Sequence, residues 1–353
     1  MIDKLKFLVS PHPTYMIFWV TGACNLSCSH CFNRSFQSRC GKDLTLGEVD
    51  AISRNMAHVK YLTLAGGEPL LRKDLSAIVR VFYKNNDLHM VNLVTNGWYT
   101  DRAQAFVAQT LKACPDLHIS VGVSLDGPQD IHDHFRGREG SFRRAVETLK
   151  TLKQMAASKR LTLAACGTCH AGNITHLPGL AQYVQDKLGI PYYAGLIRGE
   201  ALPDMGLKAV DPDDYKDLSR GIGFKGNVKL APHYPFRHLR IAVDQMVEEI
   251  IYKSLKYNKK TVSCKAGKKG FVLTSDGGIL LCEILDKHLG NVRDHQYDPY
   301  AVLNRPFSLE AMAEIRSSGC HCTWECFQRL NVVFSPKVYF RLGVHFLKTI
   351  ASE

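Results

Sequence analysis

Short apolar runs alternate with amphipathic stretches along the first two hundred or so positions of the chain. Tyr15–Val20, Tyr61–Leu64, Met90–Val94, Leu117–Ser124, Leu161–Ala165 and Tyr192–Leu196 are rich in β-branched, aromatic and other apolar residues, the pattern of buried strands. Between them, apolar positions recur at helical spacing over Leu46–His58, Asp74–Lys84, Asp101–Ala113, Phe142–Ala157 and Leu177–Leu188, with Ser141 expected as an N-cap. This alternation of β and α units predicts an α/β fold, a parallel sheet with helices outside and ligands at the carboxyl ends of its strands. Gly199 to Tyr234 reads as a loop-rich connection, and Phe236–Tyr257 as a long helix. Phe271–Thr274 and Ile279–Leu281, joined by Asp276-Gly277-Gly278, read as a hairpin. Ser335 and Pro336 open a final amphipathic helix over residues 337–350, whose basic residues Lys337, Arg341, His345 and Lys348 share one narrow face. A wide apolar face with basic edges can lie on an anionic membrane, although such faces more often cover a protein's own core.

Composition narrows the classes. At 353 residues and 45% hydrophobic, the chain can bury a large α/β domain with an appendage. It has no apolar stretch of membrane-spanning length, and its start, Met1-Ile2-Asp3-Lys4, lacks a signal-peptide core. Twelve cysteines without an export signal argue for thiolates kept for metal in a cytoplasmic setting, not for disulfides. A formal charge of +12 favours an anionic substrate or surface, including the inner face of a membrane.

Chemistry concentrates in Cys24-Asn25-Leu26-Ser27-Cys28-Ser29-His30-Cys31. Three thiolates at this spacing suit an iron–sulfur core, and three ligands on four irons leave one iron open, with Cys40 available as a fourth ligand. A zinc knuckle would need a second pair of ligands at a characteristic distance. The run, with His30 before its last cysteine, resembles the signature of the radical S-adenosylmethionine (SAM) enzymes. Gly66-Gly67-Glu68-Pro69, at the end of the second apolar run, is similar to the turn by which that family receives the amino group of SAM. The resemblance implies a partial (β/α)6 TIM-like barrel. It implies SAM contacts at Asn96, Ser124 and Asp126, with Arg136 near the SAM carboxylate. Asp126 can equally serve as a turn residue before Gly127, and Arg136 can pair with Asp133 at the surface.

Cys264, Cys282, Cys320, Cys322 and Cys326 form a second group. With Gly277 ahead of Cys282, it resembles the twitch or shortened SPASM extension, which implies one auxiliary 4Fe-4S cluster. The expected ligands are Cys264, Cys282, Cys326 and one of Cys320 or Cys322, preferably Cys322, with structural zinc as the rival metal. The expected domains are a barrel over 1–235, a linking helix over 236–258, an auxiliary region over 259–334 and a C-terminal helix over 335–353.

The resemblance implies reductive cleavage of SAM and hydrogen-atom abstraction from an unactivated C–H bond, with electrons from a flavodoxin or ferredoxin. The auxiliary cluster would then support oxidation or bond formation. Cys169 and His170, after the fifth run, are candidates to deliver a hydrogen atom or proton, while Cys166 reads as a small strand-end residue. Arg198, after the sixth, is a candidate anion holder. The expected substrate is an anionic small molecule, sugar or lipid, with a peptide-modifying maturase as the alternative. Only about fourteen residues precede the first strand, which weighs against a leader-peptide domain. A zinc-stabilised nucleic-acid binder and a non-catalytic electron carrier are the readings from other classes. Neither has a use for the Gly-Gly-Glu-Pro turn, and no nucleic-acid partner is expected.

Overall fold

Six of the apolar runs become parallel strands that lie side by side in chain order. They are β1 (Tyr15–Thr21), β2 (Tyr61–Gly66), β3 (Met90–Thr95), β4 (His118–Ser124), β5 (Leu161–Cys169) and β6 (Tyr192–Leu196). The computed structural model describes residues 10–37, 41–156, 158–199, 202–222, 236–285 and 287–351. Met16 to Val20 of β1 are all buried, as expected of a parallel strand covered on both faces. This is the expected α/β architecture of a partial barrel.

Helices α1 (Arg34–Gln37), α2 (Leu46–Arg54), α3 (Leu75–Asn86), α4 (Thr100–Ala113), α5 (Gln129–Arg136), α6 (Ser141–Met155) and α7 (Leu177–Gln182) connect these strands. Helix α2 starts at Thr45, whose side chain accepts from the Glu48 amide while the Glu48 carboxylate accepts from the Thr45 amide. Such a reciprocal cap stabilises by about 1 kcal/mol. It ends at Arg54, short of the expected His58. Ser141 is not the N-cap of α6. Gly140 holds that position with φ 81°, and the Ser141 hydroxyl donates to Asp133 at 2.7 Å. Helix α7 continues as a π-helical turn, Tyr183–Leu188. Helix α8 (Pro212–Ile222) lies inside the stretch expected to be loop, and residues 223–235 fall outside the described residues.

The tail does not stand apart from the barrel. Strand β7 (Gly270–Leu273) pairs in parallel with β1, Tyr15 opposite Gly270, and β8 (Gly278–Leu280) and β9 (His288–Asn291) follow antiparallel. One sheet therefore runs β6-β5-β4-β3-β2-β1-β7-β8-β9. The hairpin occupies the edge that β1 would otherwise leave unpaired. The tail also contains α10 (Pro299–Leu303), α11 (Pro306–Ser317) and α12 (Glu325–Val333). The long helix α9 (Arg237–Tyr257) is tied to α12 by Arg329, which donates to Asp244 at 2.6 Å.

Helix α13 (Tyr339–Ala351), after a 3-10 turn at Pro336–Val338, is pinned to α9 by the Arg341–Glu249 ion pair and by His345 with Gln245. One face covers the core, with Leu342 and Phe346 half-buried, and another is open: Phe340 is 85% exposed and Leu347 66%. Among the described residues no helix is long and apolar enough to cross a membrane.

Candidate active site and metal centres

The first cysteine run leaves the end of β1 and is seated on the last turn of α5. Ser27 and Ser29 donate their amides to the carbonyls of Arg136 and Phe135 at 3.3 and 3.0 Å. Helix α5 stops there because Gly137 takes a left-handed φ of 66°, and a Cβ at that position would lie 2.5 Å from the Ser27 hydroxyl oxygen. This close approach requires glycine. The Arg136 guanidinium then reaches Cys28 Sγ at 3.8 Å, and Gln37 reaches Cys31 Sγ at 4.0 Å. Cys24, Cys28 and Cys31 lie within electrostatic reach of one another. Burial pushes all three thiols up, Cys31 to about 11, and the Arg136 charge partly opposes this at Cys28. Cys40 lies outside the described residues.

The glycine turn after β2 packs directly against this run. The Gly67 amide donates to the Thr21 carbonyl and the Glu68 amide to the Ala23 carbonyl, at 2.9 and 2.8 Å. A Cβ on Gly67 would lie 2.0 Å from the Ala23 carbonyl oxygen. Glu68, expected to meet an ammonium, is 1% exposed and takes up three internal donors: Thr95 Oγ1 at 2.7 Å, the Asn96 amide at 2.8 Å and the Leu70 amide at 3.1 Å. Its geometry makes it the clamp between the turns after β2 and β3, with Pro69 opening the short 3-10 turn that follows. Asn96 extends the clamp to the cysteine run by donating to Asn25 Oδ1 at 2.9 Å. Ser124 stands half-buried at the carboxyl end of β4.

Asp126 is no surface turn residue. It is fully buried, accepts from Arg136 Nε at 2.6 Å and from the Thr168 amide at 2.8 Å, and has His132 and His30 at 3.6 and 3.8 Å. Burial opposes its ionisation, but the Arg136 charge overcomes this and holds the carboxyl far below its ordinary range. Arg136 is thus paired with Asp126 and not with Asp133. It couples Asp126 to the Cys28 sulfur. Asp133 instead accepts from the amides of Gly140 and Phe142. Burial lowers His30 to about 3, so the imidazole is neutral, and its ring stacks on His170 at 5.5 Å between centroids.

Cys169 and His170 are both fully buried, with Phe135 packed edge-on against His170 at 4.2 Å. Burial raises the Cys169 thiol to about 12. The expected delivery of a hydrogen atom or proton by either side chain has no exposed surface to work from. Both His170 ring nitrogens lack hydrogen-bond partners, as do His30 Nδ1 and His132 Nε2.

Arg198 lies elsewhere, between the two cysteine groups. Its guanidinium stacks 3.4 Å over Trp324, sits 5.4 Å from Phe32 and donates to Glu325 at 3.1 Å. Trp19 reaches the same region, donating through Nε1 to Glu283 at 2.8 Å. Phe32 follows Cys31, Glu283 follows Cys282, and Trp324 lies two positions after Cys322. Sequence reasoning found Arg198 but missed Trp19, Phe32, Glu283, Trp324 and Glu325. For Phe32, Glu283, Trp324 and Glu325, placement within two positions of a cysteine was the available signal.

Cys282 and Cys322 lie within reach of the charge of Cys264 and Cys320, and Cys326 lies near Glu283, Glu325, Arg198 and Arg329. Among the described residues, no group of three or more His, Cys, Asp or Glu side chains is arranged to hold a metal ion. The chemistry of the first run still fits the implied group, with three cysteines within reach of one another's charge, a cation on one of them, and the Gly66-Gly67 turn leaving room only for backbone beside them.

Residues 20–166 match the model of the radical SAM superfamily. The AdoMet-dependent heme synthase of Methanosarcina barkeri is 26% identical over 297 residues, 80% of either chain. The antilisterial bacteriocin subtilosin biosynthesis protein AlbA of Bacillus subtilis is 25% identical over 302 residues, 84% of this chain and 60% of that protein. Among solved structures, anSMEcpe with bound AdoMet and Kp18Cys peptide superposes with a TM-score of 0.58 at 16% identity, over 96% of this chain and all of that one.

Proposed function

We propose, on the premise that this chain is a radical SAM enzyme with a twitch or shortened SPASM auxiliary region, that it oxidises or couples an anionic substrate held between its two cysteine groups. When bound, the two clusters and SAM supply reductive cleavage of SAM and hydrogen-atom abstraction from carbon. The chain's own residues supply placement. Cys24, Cys28 and Cys31 would hold the first cluster, with the Arg136 cation beside Cys28 favouring its thiolate form. The Gly66-Gly67 turn, clamped by Glu68 and Asn96, would present backbone to SAM, with Ser124 at the neighbouring strand end.

The observation that carries the substrate reading is the seat of Arg198. Stacking on Trp324 fixes its guanidinium plane, and Glu325 takes one donor edge while Nε has no partner. A carboxylate or phosphate can share that fork. The surrounding rings of Trp19, Phe32 and Trp324 limit water around it. An anionic small molecule fits the net charge of +12, and the heme synthase relative makes a carboxylated tetrapyrrole the first compound to try. A peptide is the second reading, because the match to the subtilosin protein spans 84% of this chain. Substrate or product is met at an anionic membrane surface, because α13 and the turn before it expose Phe340, Leu347, Lys337 and Lys348, while Arg341 and His345 are engaged with α9.

The test is release of 5′-deoxyadenosine from SAM by anaerobically reconstituted, dithionite-reduced protein, with Cys28→Ala as the control. Iron coproporphyrin and a precursor peptide are each added in turn, and flotation on phosphatidylglycerol vesicles is run with wild type and Phe340→Ser/Leu347→Ser. Release stimulated by the porphyrin, weakened in Arg198→Gln by higher KM and not lower kcat, supports the reading. Stimulation by peptide alone replaces it with the second, and absence of flotation removes the membrane.

A further inference from the structure

We infer that the lysine-rich segment after α9 is the docking surface for a small acidic electron-carrier protein, which meets this chain beside the second cysteine group and not beside the first. The inference rests on the redox role proposed above for the tail and gives it an external partner.

Between Glu249 and Asp276 the chain has seven lysines and no acidic residue. Local structure gathers them near the cysteines. Asn258 takes a left-handed φ of 51° and ends α9, so the chain leaves the helix with Lys259 and Lys260. Lys260 Nζ donates to the carbonyls of Ile315, Arg316 and Ser318 at 3.0, 2.7 and 3.1 Å, which seats this segment on the end of α11 that leads into Cys320. A tight turn follows Cys264. The amides of Lys268 and Lys269 both donate to the Lys265 carbonyl, at 3.1 and 2.9 Å, and crowd three lysines together.

Several of these charges serve the fold. Lys253 pairs with Glu249 and Lys256 with Asp213, each at 2.8 Å, and Lys256 also suits the dipole at the end of α9. Lys260 caps α11, and Lys269 donates to the Ser10 carbonyl. Lys259, Lys265, Lys268 and Arg316 are left without an ion pair among the described residues. Burial lowers Lys269, and the Lys265 and Lys268 charges lower it further, so the turn repels itself until an anion approaches. Cys264 and Cys320 are half-buried beneath this charge. Burial raises both thiols, and Lys260 opposes it at each. Tyr257, two positions before Lys259 and 56% exposed, supplies the aromatic contact common in protein interfaces.

The first run offers no such surface. Arg136 is spent on Asp126, while Arg138 donates to the Asn25 carbonyl at 3.1 Å and stacks 3.7 Å over Trp98. Transient partners use opposite charge to raise the association rate while dissociation stays fast. An acidic carrier supplies the carboxylates that the lysine segment lacks.

The experiment reads binding and not turnover. An acidic flavodoxin is the probe, and its affinity for metal-free and for anaerobically reconstituted full-length protein is measured by biolayer interferometry at about 50 and about 500 mM salt. Lys259→Glu/Lys265→Glu/Lys268→Glu weakens binding about tenfold or more at the lower salt, and the corresponding glutamine variant weakens it less. Lys73→Glu/Lys112→Glu/Lys150→Glu changes net charge equally at exposed sites on the barrel and weakens binding less than about threefold. Carbodiimide cross-links to flavodoxin, mapped by mass spectrometry, fall on the segment after α9. Circular dichroism shows which variants fold, and the glutamine variant carries the test if the glutamate one does not. Equal losses in the two glutamate variants, or cross-links confined to the barrel, overturn the inference. Loss of flotation on phosphatidylglycerol vesicles in the tail variant, with flavodoxin binding unchanged, overturns it in favour of lipid. A tail that takes up no iron defeats the auxiliary-cluster reading alone, because the docking surface is measured on the metal-free protein as well.

Discussion

Replacing Asp126 by asparagine tests the claim that the first cysteine run is organised by a buried ion pair. The shape is kept, but the chemistry is not. Asp126 accepts from the Thr168 amide on one oxygen and from Arg136 Nε on the other. An asparagine that satisfies Thr168 with its oxygen presents its NH2 to the guanidinium, donor against donor. Arg136 is 9% exposed and cannot recover the loss from water. Breaking a buried pair from one side costs about 3–5 kcal/mol. With an unfolding entropy of about 2.1 cal/mol/K per residue over 353 residues, that corresponds to a fall in Tm of about 4–7 °C. Differential scanning calorimetry of metal-free protein reads this directly. The loss is the same from pH 8 to pH 5, because the Asp126 carboxyl ionises far below its ordinary range and stays charged throughout that window. The loss is smaller in cluster-loaded protein, where thiolate charge beside Arg136 supplies part of the missing counterion. A Tm within about 1 °C of wild type in the metal-free state would refute the ion-pair argument.

Gly67→Ala places a methyl 2.0 Å from the Ala23 carbonyl oxygen, a backbone atom that cannot swing aside, so SAM binding by equilibrium dialysis should weaken roughly tenfold or more. Unchanged binding would remove the turn from the site. A separate outcome concerns pH. Burial lowers His118 and His132 to about 4, so both are neutral in the fold, while the unfolded chain takes up protons near 6.5. Stability is intact above that value, is lost as pH falls from about 6.5 to about 4, and is then level. At pH 5 each histidine costs about 2 kcal/mol, at 1.36 kcal/mol per pH unit over about 1.5 units. Urea melts of the metal-free protein at pH 7 and pH 5 should show a smaller difference in His118→Gln, and equal differences would contradict the burial argument.

The parallel strands were legible because strands buried on both faces carry unbroken apolar runs. Helix α5 was not, since its eight residues alternate charge and histidine, although Pro128 before it and Gly137 after it mark its ends. The same segment hides the polar core of the site. Nothing in a sequence pattern distinguishes a buried Asp126, His132 or Arg136 from a solvated one, because that outcome depends on which charges meet. Which of the tail cysteines belong together was not legible either, because Cys322 lies before α12, which begins only at Glu325, while Cys326 lies within it.

The sheet also sets the relation between the two metal centres. Cys24 follows β1, Cys264 precedes β7, and Cys282 follows β8, while β1 and β7 are hydrogen-bonded in register from Tyr15 with Gly270 to Phe18 with Leu273. The separation of the two cysteine groups is therefore determined by backbone pairing within one sheet and not by a linker between two bodies. Trp19 on β1, bonded to Glu283 beside Cys282, fixes the same separation a second time through side chains. Arg198 bridges the same space, stacked on Trp324 in the tail and facing Phe32 beside the first cysteine run, so the position of the proposed anion seat is set by that pairing too.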